Sequence, residues 1–407
     1  MEQTYFRKGF GLKDVIEGAL TSDYHSRIVD AIRAHDHTLT VGDLTFRLAR
    51  EFGFCYGVDR AVEYAYEART KFPDRRTFLV GEIIHNPHVN SKLRAMGVEF
   101  LFRSAGGDFD FSAVTAADVV ILPAFGVTVH DFNRLRDIGC VLVDTTCGSV
   151  LNVWKRVESY AKDGYTAVIH GKYFHEETKA TASQVTRHAG GRYLIVRHMD
   201  EARVVCRYIE GQGDRAALLE QFAHAVSSGF DPDRDLVKIG VANQTTMLSN
   251  ESLAIAAVLR DSMTRRWGDA ALADHFRTFD TICSATQERQ DAVLTLIEEP
   301  LDAMVVIGGY NSSNTTHLAA ICARKVPTYH IEDALCIDPE SGGIRHLPAG
   351  TTTEARQASW LPSGPARIGV TAGASTPNNK IGEAIQRIAA ARGLELGAVP
   401  ADGTGAT

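Results

Sequence analysis

The chain has 407 residues, 44% of them hydrophobic, enough for two or three domains with packed cores. Its 43 basic and 50 acidic residues give a net charge of −7 without any basic block, which leaves no electrostatic case for nucleic acid. No apolar run approaches the roughly 20 residues of a membrane-spanning helix, so no membrane role is expected. Seven cysteines, an odd number, without a signal peptide argue against a disulfide framework and for a reducing, cytoplasmic setting. The acidic N-terminal stretch with Asp14, Glu17 and Asp23 does not fit a transit peptide.

In chain order, residues 1–45 are mixed and polar and read as an extension lying on the first domain. Cys55 then precedes a helical stripe of Val58, Ala61, Val62 and Ala65. A strand-like run from Phe78 to Ile84 ends at His85-Asn86-Pro87-His88, and another spans Val119 to Leu122. Val141 to Val143 leads through Asp144-Thr145-Thr146 to Cys147 and a stripe of Val150, Val153, Trp154 and Val157. Ala167 to Ile169 is followed by His170 and then by His175-Glu176-Glu177-Thr178. Next come a run from Tyr193 to Val196, an insertion at about 210–236, and a run from Ile239 to Val241 ahead of Gln244-Thr245-Thr246. Cys283 precedes a stripe of Ala292, Val293, Leu296 and Ile297. Met304 to Ile307 enters the loop from Gly308 to Thr316, and Ile368 to Val370 enters Thr371-Ala372-Gly373-Ala374-Ser375-Thr376. A last stripe holds Ile381, Ala384, Ile385 and Ile388, and the tail from Gly393 is rich in small residues. Short Val- and Ile-rich runs alternating with helical stripes define an α/β protein, whose ligands gather at strand ends.

The polar chemistry sits on those ends. Cys55, Cys147 and Cys283 share one local setting, each beyond an apolar stretch and just before a helix. Structural zinc usually takes four ligands in close pairs, and no C-x2-C pair exists here. Three thiolates from separate regions suit an iron-sulfur cluster with one iron left to substrate; three unrelated buried thiols would look the same in sequence. Cys140, Cys206, Cys322 and Cys336 lie on apolar runs and read as core. The loop Gly308-Gly309-Tyr310-Asn311-Ser312-Ser313-Asn314 lacks the Gly-Lys ending of a nucleotide P-loop, so it suggests phosphate or diphosphate alone, or else helix capping by Asn314 after a tight turn. Ser375 or Thr376 offers a similar donor or cap. His85 and His175 end strands, as does His170, which reads as structural; Glu177 beside His175 is the better acid–base candidate, whereas Glu176 suits a solvated first helical turn. Thr245 offers a hydroxyl for a substrate alcohol.

Taken together, Gly53-Phe54-Cys55-Tyr56-Gly57-Val58, Glu82-Ile83-Ile84-His85-Asn86, Asp144-Thr145-Thr146-Cys147, His175-Glu176-Glu177-Thr178, Gln244-Thr245-Thr246, Asn311-Ser312-Ser313-Asn314 and Thr371-Ala372-Gly373-Ala374-Ser375 closely resemble the 4-hydroxy-3-methylbut-2-enyl diphosphate reductase family. The resemblance runs from about Arg47 to Ile388, and the extension with Arg7-Lys8-Gly9-Phe10-Gly11 is similar to the long cyanobacterial and plastid branch. It implies three pseudo-symmetric α/β domains in a trefoil, with boundaries at 46–147, 148–278 and 279–392, around one four-iron, four-sulfur cluster. Cys55, Cys147 and Cys283 match its ligands; His85, His175, Ser312, Ser313, Asn314 and Ser375 match the diphosphate contacts. Glu177 matches the proton donor and Thr245 the hydroxyl that orders the allylic alcohol. Ferredoxin or flavodoxin is the implied electron donor.

Two departures stand out. Many bacterial members carry a His after the Val119 to Leu122 strand, where this chain, like the long branch, has Phe125; His130 is out of register. The usual Pro after the second cysteine is Gly148. Rival readings are a quinolinate synthase-like dehydratase, whose motifs would have to replace His175 to Thr178 and Asn311 to Asn314, and a non-catalytic redox sensor, which leaves Glu177 and Thr245 idle.

Overall fold

Three mainly parallel sheets organise the computed structural model, which describes residues 4–104, 107–279 and 281–396. The first sheet runs Tyr5–Phe6, Val141–Asp144, Val119–Leu122, Thr77–Val80, Val98–Leu101, all parallel. The second runs Phe276–Thr278, Ile239–Asn243, Thr166–His170, Tyr193–Val196, also parallel throughout. The third runs Thr328–Ile331, Ala303–Ile307, Ala366–Ala372, Leu44–Leu48, closed by the antiparallel edge Thr38–Val41. A small antiparallel sheet joins Ile337–Asp338, Gly343–His346 and Ala355–Gln357. The α/β expectation therefore holds.

Every residue of Val119–Leu122 and Ala303–Ile307 is buried, the pattern of parallel strands covered by helices on both faces. The helical stripes fall where their spacing puts them: Tyr56–Lys71, Gly148–Lys162, Ser284–Leu296 and Asn378–Ala390. Val153, Val157 and Tyr160 face Val168 and Val241 in the second sheet's core, each burial contributing roughly 2 kcal/mol. Gly240 is required there, because a Cβ would lie 2.5 Å from the Tyr160 ring.

The chain divides into two compact units. The first takes the described residues up to Gly9, Phe72–Ile83 and Gly97–Cys283, with the first and second sheets; the second takes Phe10–Lys71, Ile84–Met96 and the described residues from Ser284 onward, with the third. These groupings do not follow the consecutive boundaries of the sequence reading. Its extension at 1–45 divides too: Tyr5–Phe6 completes the first sheet, while Lys13–Tyr24, Arg27–Ala34 and Thr38–Val41 belong with the third. Phe78 to Ile84 is not one strand. It stops at Val80, where Gly81 turns to φ +69°, so His85 sits in a loop rather than on a strand end. The stretch at 210–236 is helical, with Arg215–Gln221 and Pro232–Asp235, and sends Leu218, Phe222 and Phe230 into the core. Leu394 and Leu396, at the start of the expected loose tail, pack on the third sheet's core; residues 397–407 lie outside the described residues.

Within the second unit the N-terminal segment is pinned by a buried carboxylate. Glu67 on the Tyr56–Lys71 helix is 1% exposed, and its two oxygens accept from the backbone N–H groups of Phe10 and Leu12, each at 2.6 Å. Asp23 adds to this, accepting from Lys92 Nζ at 2.6 Å and Tyr66 Oη at 2.8 Å. Losing both charge-assisted bonds in Glu67→Ala is expected to cost about 3 kcal/mol, read as a lower urea midpoint, with Glu67→Gln in between; an unchanged midpoint in the alanine variant would contradict the pinning.

Candidate active site

Parallel strands all end on one side, and their loops feed helix N-termini, so polar groups there converge without long-range design. In the first unit, His175 caps the Glu176–Val185 helix after the Thr166–His170 strand: its Nδ1 accepts from the Glu177 N–H at 3.1 Å, leaving the ring proton on Nε2. Glu177 itself is 1% exposed. Its Oε1 accepts from the Thr245 backbone N–H at 2.6 Å, and the Thr245 side chain bonds it as well. Burial pushes the Glu177 carboxyl up from 4.5 to about 7, against the opposing pull of the Thr245 hydrogen bonds. The neighbouring Glu176 ends up the other way: burial raises it, but Arg103, at 2.5 Å, and Lys179 outweigh that and hold it below the ordinary carboxylate value. Two adjacent acids thus separate into one that keeps a proton near neutrality and one that does not.

Gln244 fixes the two loops to each other. Its Oε1 accepts from the Lys172 N–H at 3.1 Å and Thr178 Oγ1 at 3.0 Å, while its Nε2 donates to Thr246 Oγ1 at 2.8 Å. Phe125 lies edge-on to the His175 ring, 5.6 Å between centroids at 81°. Phe125 thus sets an aromatic wall against that imidazole. His130 is exposed on the Val129–Ile138 helix, and His170 is fully buried with its Nδ1 2.8 Å from Ser252 Oγ.

The cysteines sort themselves by exposure. Cys140, Cys206, Cys322 and Cys336 are buried core residues, whereas Cys55, Cys147 and Cys283 are half-buried, and no disulfide is present among the described residues. Cys147 ends the loop after Val141–Asp144, its N–H bonded to Ala124 O at 3.0 Å, and opens the Gly148–Lys162 helix. Burial raises its thiol; the Ser149 N–H lowers it, and the nearby Cys283 raises it again. Ser149 Oγ donates to Cys283 Sγ at 3.4 Å. Just before Cys283, Thr281 Oγ1 accepts from the Asn243 N–H at 3.1 Å, tying that segment to a strand end. Nothing requires glycine at Gly148, where an added Cβ meets open space. Two thiols sharing one serine are a fitting donor pair for a thiolate-held metal group. Among the described residues, no three His, Cys, Asp or Glu side chains are grouped to hold a bare ion.

The second unit carries the other loops. Ser312 caps the Ser313–Cys322 helix, its Oγ accepting from the Thr315 N–H at 3.4 Å and from Thr315 Oγ1 at 3.0 Å. The cap is therefore Ser312 and not the expected Asn314, which lies inside the first helical turn. Asn314 Oδ1 accepts from the Ala374 N–H at 3.0 Å, and its Nδ2 is buried without a hydrogen-bond partner. Ser375 Oγ donates to His85 O at 3.2 Å, and Asn311 Nδ2 lies 3.4 Å from His85 Nδ1. Gly373 allows this approach: a Cβ there would stand 1.9 Å from Thr315 Oγ1. Cys55 joins the same loops, its N–H bonded to Ala374 O at 3.2 Å. His85, Asn311 to Asn314, Ser375 and Cys55 are therefore gathered in one unit, and Glu177, His175, Thr245, Cys147 and Cys283 in the other.

Gln244 as a clamp and buried Arg289 are found from the structure and not from the sequence motifs. Arg289 lies four residues before Val293 on the buried stripe of its helix, and a charge in that register is the signal that marks it.

The profile of the LytB protein family matches residues 46–389. The chain belongs to the LytB protein family. A relative from Thermosynechococcus vestitus, named 4-hydroxy-3-methylbut-2-enyl diphosphate reductase, is 50% identical over 96% of this chain and 96% of its own length. One of the same name from Gloeobacter violaceus is 50% identical over 98% and 95%, so the match takes in most of the segment before residue 46. This LytB protein is also similar to a solved (E)-4-hydroxy-3-methyl-but-2-enyl diphosphate reductase, described as the terminal enzyme of the non-mevalonate pathway, with TM-score 0.51 and 26% identity over 84% of this chain and 98% of that one. A Plasmodium falciparum structure shares the fold, with TM-score 0.62 at 21% identity over 84% and 87%.

Asn314→Asp keeps the acceptor for Ala374 but replaces the unpartnered donor with a negative oxygen. It is expected to weaken binding of inorganic diphosphate at least about tenfold by calorimetry, with the melting temperature near wild type; undiminished binding would remove Asn314 from the anion site.

Proposed function

We propose that this chain is an oxidoreductase that removes the C4 hydroxyl of (E)-4-hydroxy-3-methylbut-2-enyl diphosphate, giving isopentenyl and dimethylallyl diphosphates as the last step of the non-mevalonate isoprenoid route. Relatives sharing half its residues over nearly its whole length carry that reductase name. They leave the dehydratase and redox-sensor readings without support. The observation that carries the chemistry is Glu177, a fully buried carboxyl held at about 7 and aimed by the Thr245 N–H.

The diphosphate is assigned to His85, His175, Ser312, Ser313, Asn314 and Ser375, a set of hydroxyl, amide and imidazole donors. Support comes from the buried, unpartnered Asn314 Nδ2, which needs an acceptor. Glu177 is the proton donor to the departing hydroxyl, so that oxygen leaves as water; Thr245 orders the alcohol. Cys55, Cys147 and Cys283 are assigned to one four-iron, four-sulfur cluster, which when bound supplies two electrons and a Lewis-acidic iron free of protein ligands. Two electrons and two protons balance the reaction, one proton leaving in the water and one entering at either end of the allyl unit. The reducing equivalents come from a ferredoxin or flavodoxin. No helix among the described residues is long and apolar enough to cross a membrane, and a cytoplasmic setting fits the odd cysteine count.

Glu177→Gln keeps the shape and an acceptor for the Thr245 N–H but has no proton to give. It is expected to retain iron and sulfide at wild-type levels while turnover falls by about a thousandfold; full reductase activity would sink the assigned mechanism. The pH dependence has a definite sign. The donor must be protonated, so turnover should decline as pH rises through about 7. The same raised value means the folded state binds the Glu177 proton more tightly than the unfolded one. That stabilisation is complete below the ordinary value of 4.5 and lost as pH rises through about 7, so wild type should lose stability relative to Glu177→Gln across this window. A flat difference in melting temperature between pH 5 and 8 would refute it.

A further inference from the structure

We infer that Arg289 is a positioning residue for Cys55, holding the loop ahead of that thiol in the shape that presents it; this rests on the proposed cluster ligation. Arg289 is 3% exposed on the Ser284–Leu296 helix. Its Nε and Nη2 donate to Gly53 O at 3.2 and 2.8 Å, Nη2 also to Phe54 O at 3.1 Å, and Nη1 to Ala285 O at 2.8 Å. One planar fork therefore takes the carbonyls of both residues directly before Cys55. Gly53 is left-handed at φ +74°, and a Cβ there would stand 3.1 Å from Asn378 Oδ1 and 3.2 Å from Thr376 O, so the loop cannot relax toward that side. The Cys55 N–H is taken by Ala374 O at 3.2 Å. The thiol is thus gripped through its backbone from before by a guanidinium and from its own N–H by the Ala374 carbonyl.

The donor set explains why the residue is arginine. A buried cation is costly unless its donors are used, and a single ammonium cannot span Gly53 O and Phe54 O as a rigid fork does. Asp59, in the first turn after Cys55, is the carboxylate that feels this charge: burial raises its carboxyl, with Lys13 and Arg289 pulling it back. The helix bearing Arg289 begins immediately after Cys283, so the fork links the loop of one proposed ligand to the helix led by another. Groups that orient ligands in this way change metal retention about 10–100-fold when removed.

The test uses the full chain, purified anaerobically and loaded with iron and sulfide, as wild type, Arg289→Lys, Arg289→Gln and Asp59→Asn. Release of iron to a chelator should be about tenfold faster in Arg289→Gln, intermediate in Arg289→Lys and unchanged in Asp59→Asn, with circular dichroism like wild type. In the iron-free chain, alkylation of Cys55 read by peptide mass spectrometry should change in Arg289→Gln while that of Cys147 does not. Wild-type release and wild-type Cys55 reactivity in both arginine variants would overturn the inference, as would an Asp59→Asn effect equal to Arg289→Gln, which would make charge rather than grip the cause. If neither arginine variant folds, Arg289 holds the fold and not the ligand, and the inference fails. A wild-type chain that takes up no iron instead defeats the cluster reading, and the alkylation arm then decides positioning alone.

Discussion

Strands that run parallel finish together, and this constraint gathers the chain's chemistry. Cys147, His175, Gln244 to Thr246 and the segment before Cys283 each follow a strand of the first unit. Cys55, Asn311 to Asn314 and Ser375 follow strands of the second. No long connection has to carry these residues to their places. The sheets need only form in register, and the loops at their carboxyl ends present donors, thiols and one buried acid.

Electrostatics then assigns roles that composition alone leaves equal. Glu176 and Glu177 are neighbours of the same type, yet a helix start turns one toward Arg103 and Lys179 and the other into the interior against the Thr245 N–H. The difference in surroundings, not in residue, separates an ion-paired carboxylate from a buried carboxyl whose proton is held more tightly. Asn314 is divided similarly: its oxygen secures Ala374, while its nitrogen is buried without a hydrogen-bond partner. The glycines at 308 and 373 keep Thr315 and Thr376 close enough for that arrangement to close up.

Much of this was legible in the sequence for physical reasons. Unbroken apolar runs and helical stripes locate elements such as Val119–Leu122 and Gly148–Lys162, because burial on both faces of a strand demands unbroken Val and Ile. The division between four core cysteines and three half-buried ones follows from their neighbours in the chain. Long-range pairing was not legible. Nothing local says that Leu44–Leu48 pairs with Ala366–Ala372, or that Tyr5–Phe6 pairs beside Val141–Asp144, since edge partners are chosen by tertiary fit. Gly81 ended a strand that hydrophobicity alone would have continued through Ile84. Gln244 and Arg289 act through carbonyls and N–H groups of distant loops, contacts that leave no periodic trace.

The pairing of Leu44–Leu48 with Ala366–Ala372 also sets a timetable. A strand made early in synthesis has to wait for one made near the end, and until then its edge is unpaired. The second unit, drawn from both ends of the chain, is thus a late-closing structure of high sequence separation, whereas Gly97–Cys283 supplies a nearly continuous unit able to collapse first. During that interval the loops around Cys55, Ser312 and Ser375 lack the neighbours that hold them, so their hydrogen bonds to one another close only after the last strand has docked.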